Sequence, residues 1–271
     1  MTIDTAALTQ RQKLMWAEGD YADIARTIEP VAREVLDAVG MQAGETLLDV
    51  ATGTGNAALE AARRGARVTG LDLTPELLSI ARQRADEEGL QITLVEGDAQ
   101  ALPFADGSFD RVTSVFGAMF APDQERTAAE LLRVCRPGGT VAVAAWAPEG
   151  LNGQMFAVLG RHLPPPPDGF RPPILWGAED VVRTLFADAA GIRCELRPAT
   201  DSVKAPRVDA WIAYTERVLG PTIMAKAALE SQGRWAAARA DLVELYERFN
   251  EAVDGSMLAH PTYLLTVATA K

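Results

Sequence analysis

The stretch Leu47-Leu48-Asp49-Val50-Ala51-Thr52-Gly53-Thr54-Gly55-Asn56 decides how the chain is read. Three apolar residues around one acid have the character of a short buried strand. It runs into a loop with two glycines one residue apart. Glycine accepts φ > 0 at no steric cost and, lacking a Cβ, lets a ligand come close to the backbone. A helical pattern follows at once, from Ala57 to Arg64. Strand, glycine loop and helix N-terminus make the nucleotide-handling corner of an open α/β sheet.

The 271 residues, 48% hydrophobic and 23% charged, suit one large globular domain or a domain with a small cap. A net charge of -11 does not suit a phosphate backbone, so no nucleic-acid partner is expected. Cys135 and Cys194 form no metal or disulfide pattern and read as two reduced thiols, with no metal implied. Met1 to Gln12 has polar residues where a signal peptide would have its apolar core. No window offers the ~18 apolar residues of a membrane span. A cytoplasmic protein without membrane contact is expected.

Outward from the glycine loop, strand and helix patterns alternate. Residues 5–18 and 20–39 read as N-terminal helices, punctuated by Gly19 and Gly40. Strands are expected at Thr46–Ala51, Arg67–Leu71, Gln91–Glu96, Asp110–Val115 and Thr140–Trp146. A helix starts at Pro75 with Thr74 as its cap, and another runs from Gln124 to Cys135, ending before Pro137-Gly138-Gly139. This alternation favours a parallel sheet covered on both faces. Residues 150–177, with prolines at 164–167, 172 and 173, read as a lid-like loop. A helix over Ala178–Ala189, a strand near Ile192–Arg197, helices through 207–253 broken at Gly220-Pro221, and a last strand at Tyr263–Ala268 complete the chain.

On the glycine loop alone two nucleotide cofactors remain open. Gly53, Gly55 and Ala58 fit the dinucleotide fingerprint, and Asp72 falls 17 residues after Gly55, at the end of the second strand. Three further features bear on the choice: Glu96-Gly97-Asp98-Ala99 closing the third strand, Leu102-Pro103-Phe104 through Ser108-Phe109-Asp110 leading into the fourth, and Arg133-Val134-Cys135-Arg136-Pro137-Gly138-Gly139 before the fifth. Together with the glycine loop, these resemble the class I S-adenosylmethionine-dependent methyltransferases. The match is to the group that includes the ubiquinone and menaquinone biosynthesis methyltransferases, over residues 10–148. The resemblance implies a seven-stranded Rossmann-like methyltransferase sheet, mostly parallel with its last strand antiparallel. With the helical patterns on either side of it, the chain is expected to fall in three parts: N-terminal helices over residues 1–40 covering the cofactor, 41–200 with 260–271 as the core, and 201–259 as a helical cap insertion.

The resemblance also assigns roles. Gly53, Thr54 and Gly55, with Ala51 at the strand end, pass under the methionyl part of S-adenosylmethionine, and Asp49 helps hold that loop. Asp72 accepts from both ribose hydroxyls, for which two charged acceptor oxygens are well suited. Leu73 flanks the adenine, and Asp98 accepts from its amine beside the Ala99 amide. Backbone carbonyls near Val115 and Phe116 take the methionyl ammonium, and Tyr21 closes over the cofactor. Val115 stands where the quinone methylases often carry a serine, and residues 150–262 follow no part of their pattern.

Methyl transfer asks the protein mainly to align nucleophile, methyl and sulfur in a dry pocket, so no catalytic triad is needed and no catalytic residue is assigned. His162 and His260 are candidate bases by residue type, as are Tyr214 and Tyr246 on the C-terminal helices; an ordinary structural role is the simpler reading of each. The acceptor pocket should lie over the carboxyl ends of the fourth and fifth strands. Its candidate walls are Trp16, Phe116, Met119, Phe120, Trp146, Phe156, His162, Trp176 and Trp211, which suit a small apolar or aromatic molecule. The plainer alternative is that these aromatics pack a cap onto the sheet. A nicotinamide-dependent oxidoreductase and a non-catalytic cofactor-binding protein are the competing functions.

Overall fold

The computed structural model describes residues 4–167, 169–200 and 203–271. Its strands are β1 (Thr46–Val50), β2 (Arg67–Asp72), β3 (Ile92–Glu96), β4 (Phe109–Val115), β5 (Cys135–Trp146), β6 (Gly191–Pro198), β7 (Val203–Ala205), β8 (Met257–Ala259) and β9 (Thr262–Thr269). Seven of them form one sheet in the order β3-β2-β1-β4-β5-β9-β6. β1 to β5 pair in parallel, and β9 runs antiparallel between β5 and β6. This is the expected mostly parallel sheet with an antiparallel last strand. The central strands are buried at almost every position: Leu47, Leu48, Asp49 and Val50 in β1, and Val141 to Trp146 in β5. Continuous burial means that both faces are covered.

The helices are α1 (Thr5–Ala17), α2 (Tyr21–Ala25), α3 (Glu29–Val39), α4 (Asn56–Arg63), α5 (Pro75–Glu88), α6 (Gln124–Val134), α7 (Leu151–His162), α8 (Glu179–Leu185), α9 (Val208–Val218), α10 (Gly220–Glu230) and α11 (Trp235–Phe249). Helix α3 shows the local logic. Pro30 lies in its first turn, Gly40 ends it in the left-handed region at φ 64°, and Val31, Val35, Leu36 and Val39 bury one stripe. None of the helices is long and apolar enough to cross a membrane among the described residues.

Three features depart from the sequence reading. First, β5 starts at Cys135, because the Pro137-Gly138-Gly139 segment stays within the strand as an irregularity; the Gly138 amide donates to the Ala270 carbonyl. Second, residues 150–177, expected as a lid-like loop, open with the twelve-residue helix α7. Leu151, Met155, Val158 and Leu159 of α7 join α9, α10 and α11 in a hydrophobic cluster separate from the sheet's core. The apolar spacing of α7 was hidden by the proline run that follows it. Third, β7 and β8 form a two-stranded antiparallel ribbon at the two ends of the cap. Three-residue strands carry too little periodicity to be read in advance.

Candidate functional site

The strand order reverses between β1 and β4, and the carboxyl ends of β1 to β4 open there into a cavity. Such a reversal is where open α/β sheets bind ligands. The loop after β1 turns through left-handed backbone at Ala51 (φ 53°) and Gly53 (φ 56°) and enters α4 at Gly55 (φ 87°). A Cβ on Gly53 would come 3.5 Å from the Tyr21 ring, so Tyr21 lies directly over the loop. From behind, Arg84 of α5 donates to the Thr54 carbonyl (2.9 Å) and Asn56 Oδ1 (2.8 Å) and pairs with Glu29 (2.6 Å). That clamp joins the loop to the N-terminal helices.

Three carboxylates face this cavity from the ends of successive strands. Asp49 accepts from the Thr52 hydroxyl at 2.6 Å and the Thr113 hydroxyl at 2.9 Å. Burial pushes its pKa up to about 6, against the pull of those hydrogen bonds. Asp72 accepts from the Gly53 amide at 2.7 Å and the Thr74 amide at 2.8 Å; burial raises its pKa as well, and the two amides oppose this. Thr74 holds the expected cap position of α5, but its side chain makes no capping bond. Asp98 accepts from the Gln100 backbone amide (2.9 Å) and side-chain amide (3.0 Å).

At the end of β4, Phe116 also adopts the left-handed region (φ 57°), and Gly117 packs against the Ala51 backbone. Strained residues at the facing ends of neighbouring strands mark where the backbone is held for a ligand rather than for the sheet. The Phe116 ring stacks on Trp146 with centroids 3.6 Å apart.

Helix α1 lies across the cavity. It is fastened by Lys13 to Glu96 (2.5 Å) and by the Gln100 side-chain amide donating to the Thr9 hydroxyl (2.9 Å). Trp16 meets Tyr21 and Phe120 edge-on, at centroid distances of 5.2 and 4.8 Å. Gln12, also on α1, has a buried side-chain oxygen with no hydrogen-bond partner among the described residues.

A second cavity adjoins the first and shares Trp16, Tyr21, Ile28, Phe116 and Phe120 as wall. Its other walls come from Trp146, from Asn152, Met155 and Phe156 on α7, and from Trp211, Thr215, Leu219 and Tyr246 on the C-terminal helices.

Of the sequence-predicted cofactor residues, Tyr21, Asp49, Ala51, Gly53, Thr54, Asp72, Leu73, Asp98, Ala99, Val115 and Phe116 line the first cavity. Gly55 does not; it turns the chain into α4 and sits against Ala81. Trp16 and Phe120 line both cavities, and Trp146, Phe156 and Trp211 the second. Met119, His162 and Trp176 line neither. Met119 is 1% exposed and turned into the core. Trp176 is wholly buried edge-on to Phe186. His162, on α7, pairs with Asp241 of α11 at 2.9 Å. Thr9, Gln12, Asn152, Met155 and Tyr246 were not named as wall residues from sequence. Only α1's inner-face spacing of Thr9, Gln12 and Trp16 carried a signal for any of them.

Fold and site define a methyltransferase. Residues 48–143 match the family model described as a methyltransferase domain. An uncharacterized protein of Mycobacterium tuberculosis (strain H37Rv) is 41% identical over 259 residues, 92% of this chain and 93% of that one. A demethylmenaquinone methyltransferase of Thermus thermophilus is 41% identical over 137 residues, 49% of this chain and 62% of that one. Among solved structures, the YcgJ protein of Bacillus subtilis superposes with a TM-score of 0.61 at 18% identity, covering 89% of this chain and 97% of that one. The Haemonchus contortus phosphoethanolamine N-methyltransferase 2, solved with S-adenosylhomocysteine, superposes with a TM-score of 0.54 at 19% identity, covering 89% and 52%.

The chain belongs to the class I S-adenosylmethionine-dependent methyltransferases, and S-adenosylmethionine is its cofactor. The nicotinamide reading of the glycine loop is thereby set aside. The residues present fit the cofactor. Acceptor carboxylates stand at the ends of β2 and β3, the loop after β1 comes close to Tyr21 over a glycine, and an unsatisfied acceptor on Gln12 borders the cavity.

Proposed function

We propose that the first cavity holds S-adenosylmethionine and the second a small apolar or aromatic molecule that accepts the methyl group. The observation that carries this reading is the shared wall of Trp16, Tyr21, Ile28, Phe116 and Phe120, which leaves the two cavities side by side at the ends of β1 and β4. The bound cofactor supplies a methyl group made electrophilic by its positive sulfur.

The chain's part is to bind, align and keep water out. In this reading Asp72 accepts from the ribose hydroxyls and Asp98 from the adenine amine. Residues 51–54 run under the methionyl chain, and the carbonyls of Val115 and Phe116 take its ammonium. Helices α1 and α2 cover the cofactor, with Trp16 and Tyr21 on its N-terminal side. The C-terminal helices and α7 enclose the acceptor against Phe116, Phe120 and Trp146. Among the described residues no charged side chain lines the acceptor cavity, which favours an uncharged, largely apolar molecule.

Calorimetry with S-adenosylmethionine and S-adenosylhomocysteine tests the cofactor half: affinity weaker than about millimolar for both would overturn it. Methyl transfer from the labelled cofactor across a library of phenols, amines and carboxylic acids tests turnover. Tight cofactor binding with no transfer to any member would favour a non-catalytic binding protein.

A further inference from the structure

The second cavity has an apolar wall with one polar corner. Thr27 and Thr215 spend their hydroxyls within the chain, on the carbonyls of Ile24 (2.7 Å) and Ile212 (2.9 Å). The donors of Trp211 on α9 and Tyr246 on α11 are less well served. Trp211 is 6% exposed, and its indole Nε1 is buried without a hydrogen-bond partner. Among the described residues its nearest acceptor is the Tyr246 hydroxyl oxygen, close enough to lower that phenol's pKa as a donor would, but outside good hydrogen-bond geometry. Tyr246 is 2% exposed and donates only to the sulfur of Met155, at 3.4 Å. Thioether sulfur is a weak acceptor, and an indole N–H can only donate. Two donors are thus held side by side at the edge of a cavity, on two different helices, with only weak or poorly aligned acceptors.

Native proteins rarely leave buried donors unserved, and each exception calls for a cause. Here the cavity supplies one: a ligand oxygen set in this corner would take both hydrogen bonds. We propose that Trp211 and Tyr246 form an oxygen-binding subsite, and that the methyl acceptor is an apolar ring carrying a carbonyl or other uncharged acceptor oxygen that docks there. The inference rests on the second cavity being the acceptor cavity. The Asn152 side chain, on the same wall, is placed to meet a second polar group of such a ring. The subsite orients the ring, and neither residue exchanges a proton with it. Burial pushes the Tyr246 phenol up to about 12, with Trp211 beside it opposing this, so the phenol is a neutral donor at neutral pH.

The test is a matched pair of probes, tetralin and 1-tetralone, which differ by one carbonyl. Each is titrated into protein saturated with S-adenosylhomocysteine and followed by calorimetry or ligand-observed NMR. The ketone should bind about fivefold to tenfold more tightly than the hydrocarbon, the range of one or two net hydrogen bonds. Tyr246→Phe, which keeps the ring, should lower that preference, and Tyr246→Phe with Trp211→Phe should abolish it. Unchanged affinity for S-adenosylhomocysteine shows that each variant is folded. Equal binding of the two probes to the wild type, or a preference that survives both substitutions, overturns the subsite and leaves the acceptor cavity standing. Failure of both probes to bind the wild type overturns the acceptor cavity, and the subsite with it.

Discussion

The Asp72 carboxylate accepts the Gly53 amide at 2.7 Å, tying the end of β2 to the glycine loop after β1. Its other oxygen takes the Thr74 amide at 2.8 Å. One side chain thus fixes the loop, the start of α5 and the acceptor edge that faces the cavity. Hydrogen bonds to a charged group are each worth about 1.5–3 kcal/mol. Asp72→Ala is therefore expected to weaken binding of S-adenosylhomocysteine by about 30-fold or more, and Asp72→Asn, which keeps one acceptor, by less. Calorimetry reads both; an unchanged affinity for Asp72→Ala would remove it from the cofactor site.

The buried Asp49 predicts a pH dependence. Its pKa rises from 3.8 unfolded to about 6 folded. The stability this group contributes is complete below the unfolded pKa and declines as pH rises through the folded one. Relative to Asp49→Asn, the wild type should lose about 1–2 kcal/mol of unfolding free energy between pH 5 and 8. Urea unfolding of both proteins at the two pH values measures the difference. The cationic methyl donor favours the carboxylate form, so its binding near pH 6 should release protons, seen as a heat that varies with the buffer's ionisation enthalpy.

Gly117 marks the close approach of β4 to β1. A Cβ there would stand 2.7 Å from the Ala51 carbonyl oxygen, a backbone atom that cannot swing aside. Gly117→Ala should cost about 1–3 kcal/mol and displace the Ala51 end of the loop. Thermal unfolding should register the loss, together with weaker cofactor binding. A substitution that left both unchanged would show that the two strand ends can part freely.

Helix α1 buries no residue fully. Gln12→Leu should therefore leave the ligand-free melting temperature almost unchanged. Gln12 lines the proposed cofactor cavity and carries an unpartnered oxygen, so the same variant should bind S-adenosylhomocysteine about threefold to tenfold more weakly, as for one lost hydrogen bond. Calorimetry beside a thermal melt separates the two effects. A lowered melting temperature with unchanged affinity would assign Gln12 to packing instead.

The sheet was legible in the sequence wherever the signal is local. Leu47 to Val50 is buried because parallel strands are covered on both faces, and Gly53 is glycine because that turn has φ near +56°. The acids at positions 72 and 98 stand at strand ends, so their place in the motif order fixed their place at the cavity. Helix α7 was misread because its apolar stripe faces the cap, and the sequence beside it is dominated by prolines. Trp176 and Met119 were candidates for the wall on residue type alone, yet both are core: the face an aromatic or methionine turns to depends on what packs beyond it.

By itself the sequence determined the class of the protein and its methyl donor, because the motifs that carry the resemblance are backbone turns and strand-end acids whose spacing survives in one dimension. The second cavity, which we propose for the methyl acceptor, was decided only in three dimensions. Phe116, Asn152, Trp211 and Tyr246 are far apart in the chain, and packing of α7, α9 and α11 over the ends of β4 and β5 brings them to one wall. Whether the Trp211 and Tyr246 donors are served could not be read from their types, since a hydrogen bond depends on the distance and angle that the fold sets.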